Sequence, residues 1–309
     1  MDRVTDFFAA HVLGTVLATC LVLLVLGTGY GARRGLLQKE LRHFFYSPIA
    51  YVVTAGFLFI NGFVFLFVVD YYRSGSPNDP PVRLFFGNGF WWIMILIVVP
   101  AITMRLFAQE KASGTIEPLL TAPVREGEVV VAKYLASFYF YCFLWLPTLI
   151  FVFLLYKYAD PTLTLDRLTD GTKLYTLTGW QEVYGRLNKV MDLGPILTGY
   201  LGTLAMGAAF LGIGCLTSSL ARDQVVAYIL GFVALLFLFS VGFLDSIVQT
   251  DPSWFPGLKK TIQYVSFMEH FKHFPLGIVD TRPLVYYGTI IVITLFLSAR
   301  VLESRKWRG

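Results

Sequence analysis

Few side chains in this 309-residue chain have the types and spacing that chemistry requires. His270 and His273, in MEHFKHF, sit one helical turn apart, a spacing that could hold a divalent metal. They lack an HExxH setting, which favours two interfacial histidines over a metal site. Gly127 to Lys133 has the outline of a phosphate-binding loop but misses the second glycine and the Ser or Thr after the lysine. No GxSxG elbow and no paired carboxylates stand out in the apolar stretches. Cys20, Cys142 and Cys215 fall one each in three apolar blocks, which suits packing and gives neither a disulfide framework nor a metal spacing. An ion-coupled carrier would place ionisable groups near mid-membrane. Here the most central polar side chain is Asn61, read as an interhelical hydrogen-bond partner, while Asp70 and Asp245 lie near span ends. Any work this protein does must draw its energy from another chain.

The elements that would position such residues are membrane spans. The chain is 56% hydrophobic and only 15% charged, with mean hydropathy +0.64, whereas a soluble domain is about a quarter charged. Its apolar residues come in blocks of about twenty, enough to cross a bilayer as helix. This composition argues against aqueous catalysis, nucleic-acid binding and secretion. Seven spans are expected, at 11–31, 49–70, 84–104, 133–157, 194–219, 225–248 and 283–303. Between the first two, Leu36, Leu37, Leu41, Phe44 and Phe45 alternate with Gln38, Lys39, Glu40 and Arg42, predicting an amphipathic interfacial helix ended by Pro48. The front end MDRVTDFF has the wrong polarity for a signal peptide. Arg33, Arg34, Arg105, Lys133, Arg222, Arg300, Arg305 and Lys306 flank the spans on one side, which predicts an outer N-terminus and a cytoplasmic C-terminus. Trp91 and Trp92 read as interfacial aromatics, and Pro100 and Pro147 as bends. Residues 249–282 mix apolar and ionic types and read as two short helices dipping into the outer leaflet. In the fifth span Ala205, Ala208, Ala209 and Gly212 recur at the four-residue spacing that brings helix backbones together, within one subunit or across a dimer.

One polar island interrupts this pattern, FAQEKASGTIEPLLTAPVREGEVVVAK at 107–133. The third span is expected to continue as helix through Glu110 and Lys111, to weaken at Gly114, and to be broken at Pro118 and Pro123. Between the breakers Ile116, Leu119 and Leu120 give a short element an apolar side, and after Pro123 a helix restarts with Glu126 and Glu128 in its first turns. A short amphipathic helix held at the cytoplasmic face suits docking into a groove on a partner.

The stretch MRLFAQEKASGTIEPLLTAPVREGEVVVAKYLA resembles the signature of ABC-type-2 permeases, in the branch associated with gliding motility. KELRHFFYSPIAY at 39–51, YLGTLAMGAAFLGIGCLTSSLARDQVVAYILGF at 200–232 and VDTRPLVYYGT with RVLESRKW at 279–307 agree, in order, from about 36 to 308. The resemblance implies an all-α, six-span exporter permease core (49–309) of the cytoplasmic, or inner, membrane, preceded by an elbow helix at 36–48 carrying Lys39, Glu40 and Arg42. It implies a coupling loop at 104–133, in which Glu110, Lys111, Gly114, Thr115, Ile116, Glu117, Leu119, Leu120 and Pro123 would meet an ATPase. The turn TSSLARDQ, with Arg222 and Asp223, would be a second contact. The implied partners are two copies of a cytoplasmic ABC ATPase, a second permease in a homo- or heterodimer, membrane lipids, and an accessory membrane subunit with a large outer domain. ATP and magnesium would belong to the ATPase, leaving this chain without a cofactor, a metal or catalysis of its own. The span in 1–35 is an addition to the family pattern. A non-transporting membrane scaffold that passes the ATPase state to an outer partner would use the same loop.

Overall fold

The computed structural model describes residues 31–73, 81–115, 126–158, 193–247, 258–278 and 280–306. The expected first span lies outside these residues apart from its last position, and so do Cys20 and the polar segment 159–192. Every described element is helical. The elbow helix α1 (Gly31–Phe45) leads into α2 (Pro48–Arg73), with Pro48 at the opening position of the new helix, where its missing N–H costs nothing. The third span is bent by 48° into α3 (Pro81–Gly87) and α4 (Gly89–Thr103). Asn88 makes the break, since its side chain accepts from the Phe90 N–H (2.9 Å) and starts α4 as a fresh helix. A five-residue helix α5 (Ala108–Ala112) precedes α6 (Glu126–Trp145) and α7 (Leu149–Tyr158), which are separated by a turn at 146–148 containing Pro147. Then come α8 (Leu193–Leu220), α9 (Gln224–Ile247), two short helices α10 (Leu258–Val265) and α11 (Phe267–Phe271), a 3-10 turn (Phe274–Leu276), and α12 (Thr281–Lys306). Among the described residues five helices are long and apolar enough to cross a membrane, or six with the bent pair counted as one.

The axis of the bundle is α8, which packs against α4, α6, α9 and α12. Of its most apolar stretch 67% is buried, against 17% for α9 and α12, whose outer faces are exposed in the single chain. Small residues make that central place available. Tyr141 of α6 lies across Gly207 and donates from its hydroxyl to the Thr203 carbonyl (3.3 Å), so a Cβ at 207 would collide with the ring. A Cβ at Gly212 would sit 2.6 Å from the Thr294 hydroxyl of α12. Ala208 and Ala209 are buried and Ala205 is partly so. The small-residue face is therefore occupied within the subunit. Asn61 is fully buried and donates to the Met94 sulfur of α4 (2.9 Å) and to the Phe57 carbonyl one turn back (2.8 Å). On α2, Phe59, Phe63 and Phe67 point outward, while Phe57 packs edge-on against Trp145.

The segment after α9 returns into the bundle. Phe267 packs on Phe210, well along α8, and Phe274 covers Gly202. Phe271 stacks on Trp91 at 5.1 Å and meets Trp92 edge-on. Trp91 and Trp92 are both buried, because the returning helix supplies an aromatic partner that local sequence does not reveal. The bundle thus has an elbow end, carrying α1, α5 and the turn at 221–223, and an opposite end filled with aromatic rings.

Enlarging Gly207 to leucine should destabilise the detergent-purified chain by about 1–3 kcal/mol, as overpacked cores do. Gly62→Ala, with open space around its Cβ position, should leave stability equal or slightly higher. Thermal unfolding of the two variants side by side checks the contrast.

Candidate functional site

Two carboxylates of the chain's elbow end are drawn inward onto one lysine. Lys133, on the second turn of α6, is buried to 2% exposure and donates to Glu40 Oε1 (3.0 Å) and Glu110 Oε1 (2.7 Å). Glu40 comes from α1 and Glu110 from α5, so three elements far apart in sequence meet at one Nζ. The reason Glu40 reaches it is the α1 stripe: Leu37, Glu40 and Phe44 share a face at i, i+3 and i+7, and that face packs on α6 with Phe44 stacked on Phe140. The Phe107 ring, itself buried, lies 5.7 Å from Nζ and walls it from water. Two carboxylates against one ammonium leave the cluster with one net negative charge. The second oxygen of Glu110 is buried and has no hydrogen-bond partner among the described residues.

A second set of bonds fastens the loop to the axis helix. The expected continuous helix through Lys111 does not form; α4 ends at Thr103 and α5 starts afresh at Ala108. No local side chain caps α5. Its first N–H groups are met by Ser218 of α8, whose hydroxyl accepts from Phe107 (3.1 Å) and Ala108 (3.3 Å). Lys111 reaches the other way, donating to the carbonyls of Ser219 and Ala221 (3.0 Å for the latter). A cation over the last carbonyls of α8 also meets the negative end of its dipole. Ala108, Ala221 and Ala227 pack together beneath, and their small size lets the loop and the turn touch. Arg105 donates to the hydroxyl of Ser47, in the joint between α1 and α2, and burial lowers its guanidinium below the ordinary value.

Of the residues singled out in the sequence, Glu40 and Glu110 converge on Lys133, and Lys111 closes the end of α8. All three point into this chain. Lys39 and Arg42 stay exposed on the far side of α1, and Arg222 and Asp223 are exposed in the turn, with Asp223 capping α9 through the Val226 N–H (2.9 Å). Gly114 takes the left-handed conformation (φ 73°) that ends α5, and the Thr115 hydroxyl contacts that of Ser113 at 2.8 Å. Ile116, Glu117, Leu119, Leu120 and Pro123 lie outside the described residues. Lys133 as a junction, Arg105, Ser47 and Ser218 were not legible as a site. Two signals were available: Lys133 falls on the motif that carries the family resemblance, and Glu40 is a carboxylate on the apolar stripe of an amphipathic helix, which needs a buried partner.

Among the described residues no group of three or more His, Cys, Asp or Glu side chains could hold a metal. Compared with known families, the chain matches the model described as ABC-2 family transporter protein over residues 76–299, well over half its length. No curated protein matches it.

Replacing Lys133 with methionine keeps the length of the side chain and strands two carboxylates. Loss of one partner from a buried pair costs about 3–5 kcal/mol, with the partial exposure of Glu110 pulling the value toward the lower bound. Adding Glu40→Gln and Glu110→Gln should restore most of the lost melting temperature in detergent; no recovery would mean that the ion cluster is not what holds the elbow end.

Proposed function

The chain belongs to the ABC-2 family of transporter proteins, and from that premise we propose that it is the permease subunit of an ATP-driven exporter of the gliding-motility type, worked by a separate cytoplasmic ATPase. It is a multi-pass membrane protein. In the proposed arrangement the elbow end faces the cytoplasm, the N-terminus is outside, and two permeases in a homo- or heterodimer carry two ATPases. ATP and magnesium act in the ATPase. An accessory membrane subunit with a large outer domain joins at the opposite side, next to the additional span in 1–35.

The observation that carries this reading is the three-way junction at Lys133. A push on the 104–133 loop reaches α5, and α5 has no independent freedom. Glu110 ties it through Lys133 to α6 and the elbow helix. Lys111 and the Ser218 contacts tie it to the end of α8, the most buried helix. A displacement of a few ångströms at the loop would therefore be delivered to the bundle axis and to the elbow together. Buried charge pairs resist stretching, because separating them in a low-dielectric setting costs far more than in water. The junction would act as a stiff linkage, and the ATPase as its motor. Charges on the outside of this end (Arg222, Asp223, Lys39 and Arg42) remain for the partner.

A second reading has one observation in its favour. The opposite half of this single chain is filled by Trp91, Trp145, Phe86, Phe271 and their neighbours, which leaves no polar route through the described bundle. A subunit that passes force to an outer partner without moving cargo would need no such route.

Co-expressed with the ATPase of its complex, the chain should copurify with it and raise its ATP turnover. Alanine at Ile116, Leu119 and Leu120 together should abolish that stimulation while the complex still elutes intact. Unchanged stimulation would put the input elsewhere, and failure of any ATPase to copurify would sink the exporter reading. ATP-dependent flux in reconstituted vesicles, lost on inactivating the ATPase, separates the exporter from the force-transmitting alternative.

A further inference from the structure

At the end of the bundle opposite the elbow, a cleft of about 720 Å³ opens between α10, α11 and the first turns of α12. Its size is in the range of small-ligand sites, about 300–1,000 Å³. We propose that this cleft binds the phosphate of a phospholipid headgroup, with Lys260, Arg282 and His273 as its donors. Three different segments supply these groups, and their side chains hydrogen-bond to nothing else among the described residues.

The acids of the cleft are already engaged. Glu269 takes the ammonium of Lys272 at 3.3 Å on both oxygens. Asp280 accepts the Arg282 backbone N–H (3.0 Å) and so caps α12. Glu269 is paired with Lys272, while the side chains of Lys260 and Arg282 hold no carboxylate at hydrogen-bond distance among the described residues, so their N–H donors remain available to an anion. Arginine presents paired donors to a phosphate and lysine a point charge.

The back wall is rigid before any ligand arrives. The His270 ring stacks on Tyr286 with centroids 4.3 Å apart, and its Nε2 bonds the Tyr264 carbonyl (2.9 Å). The Tyr286 hydroxyl donates to the Val265 carbonyl (2.8 Å). Both bonds anchor on the last carbonyls of α10. A wall held this way loses little freedom on binding.

Lipid is favoured over a soluble anion by what lies below the cleft. Val285, which lines it, begins an exposed stripe with Thr289, Val292 and Phe296, at i, i+4, i+7 and i+11 down α12. The Thr289 hydroxyl is turned back onto the Val285 carbonyl (2.8 Å), so the stripe is apolar in effect. Acyl chains lying along that stripe would carry their phosphate into the cleft. Tyr264, largely exposed at its rim, is the type of side chain that settles at headgroup level.

The test uses the full chain purified in detergent and native mass spectrometry. The probes are phosphatidylglycerol, a diacylglycerol with the same acyl chains, and inorganic phosphate as competitor. Wild type should retain phosphatidylglycerol at least fivefold more tightly than diacylglycerol. Lys260→Ala with Arg282→Ala should erase that preference and leave the melting temperature unchanged, since both side chains are exposed and the α12 cap uses only the Arg282 backbone. Equal retention of the two lipids by wild type, or an undiminished preference in the double variant, would overturn the proposal. Full displacement of phosphatidylglycerol by millimolar phosphate would overturn its lipid source. Lipid retention is read on this chain alone, so it stands or falls separately from any coupling to an ATPase.

Discussion

A single buried ammonium, that of Lys133, sets the conditions the rest of the elbow end must meet. Away from water such a charge is tolerable only with carboxylates at hydrogen-bond distance. The chain supplies two, from α1 and from α5. The elbow helix must therefore keep Glu40 on its packed face, between Leu37 and Phe44, although a polar residue there costs it apolar burial. In turn α5 must lie close enough to place Glu110, which requires α4 to stop at Thr103 and the chain to turn. Ser218 and Lys111 make that turn possible by meeting backbone groups that would otherwise be orphaned. One ion cluster thus dictates helix ends in three places.

The two halves of the molecule are held by different physics. At the elbow end polar groups in a small volume give direction and stiffness. At the opposite end dispersion between rings does the work, with Trp91, Trp145, Phe86, Tyr200 and Phe271 in mutual edge and face contact. Between them α8 runs through both regions, and its glycines and alanines let neighbours approach closely along its length. In lipid, where apolar surface gains little by meeting other apolar surface, such close approach is the main source of cohesion between spans.

Much of this was legible in the residues. The blocks of about twenty apolar positions marked most of the described spans to within a few residues, because a bilayer imposes length and composition together; the fourth begins at Glu126, seven residues before its apolar block. Asn61 could be read as an interhelical partner from its depth alone, and it bonds Met94. Glu126 and Glu128 marked the start of α6, and Gly114 the end of α5. What escaped reading shares one property, namely partners distant in the chain. The aromatic partner of Trp91 and Trp92 comes into view only when α11 folds back over them. The helix through Lys111 looks continuous until a serine more than a hundred residues away offers its hydroxyl.

By itself the sequence determined the class of solvent this protein lives in, the approximate places of its described spans, and a motif-rich polar loop between two of them. Those properties are local, set by the hydration cost of each residue and by backbone chemistry within a turn or two. Only the tertiary structure decided which charges stay exposed and which are spent inside. Glu110 and Lys111, adjacent in sequence and alike in hydrophilicity, both turn inward, to opposite neighbours. That choice depends on where Lys133 and the end of α8 come to lie, and no local rule contains it.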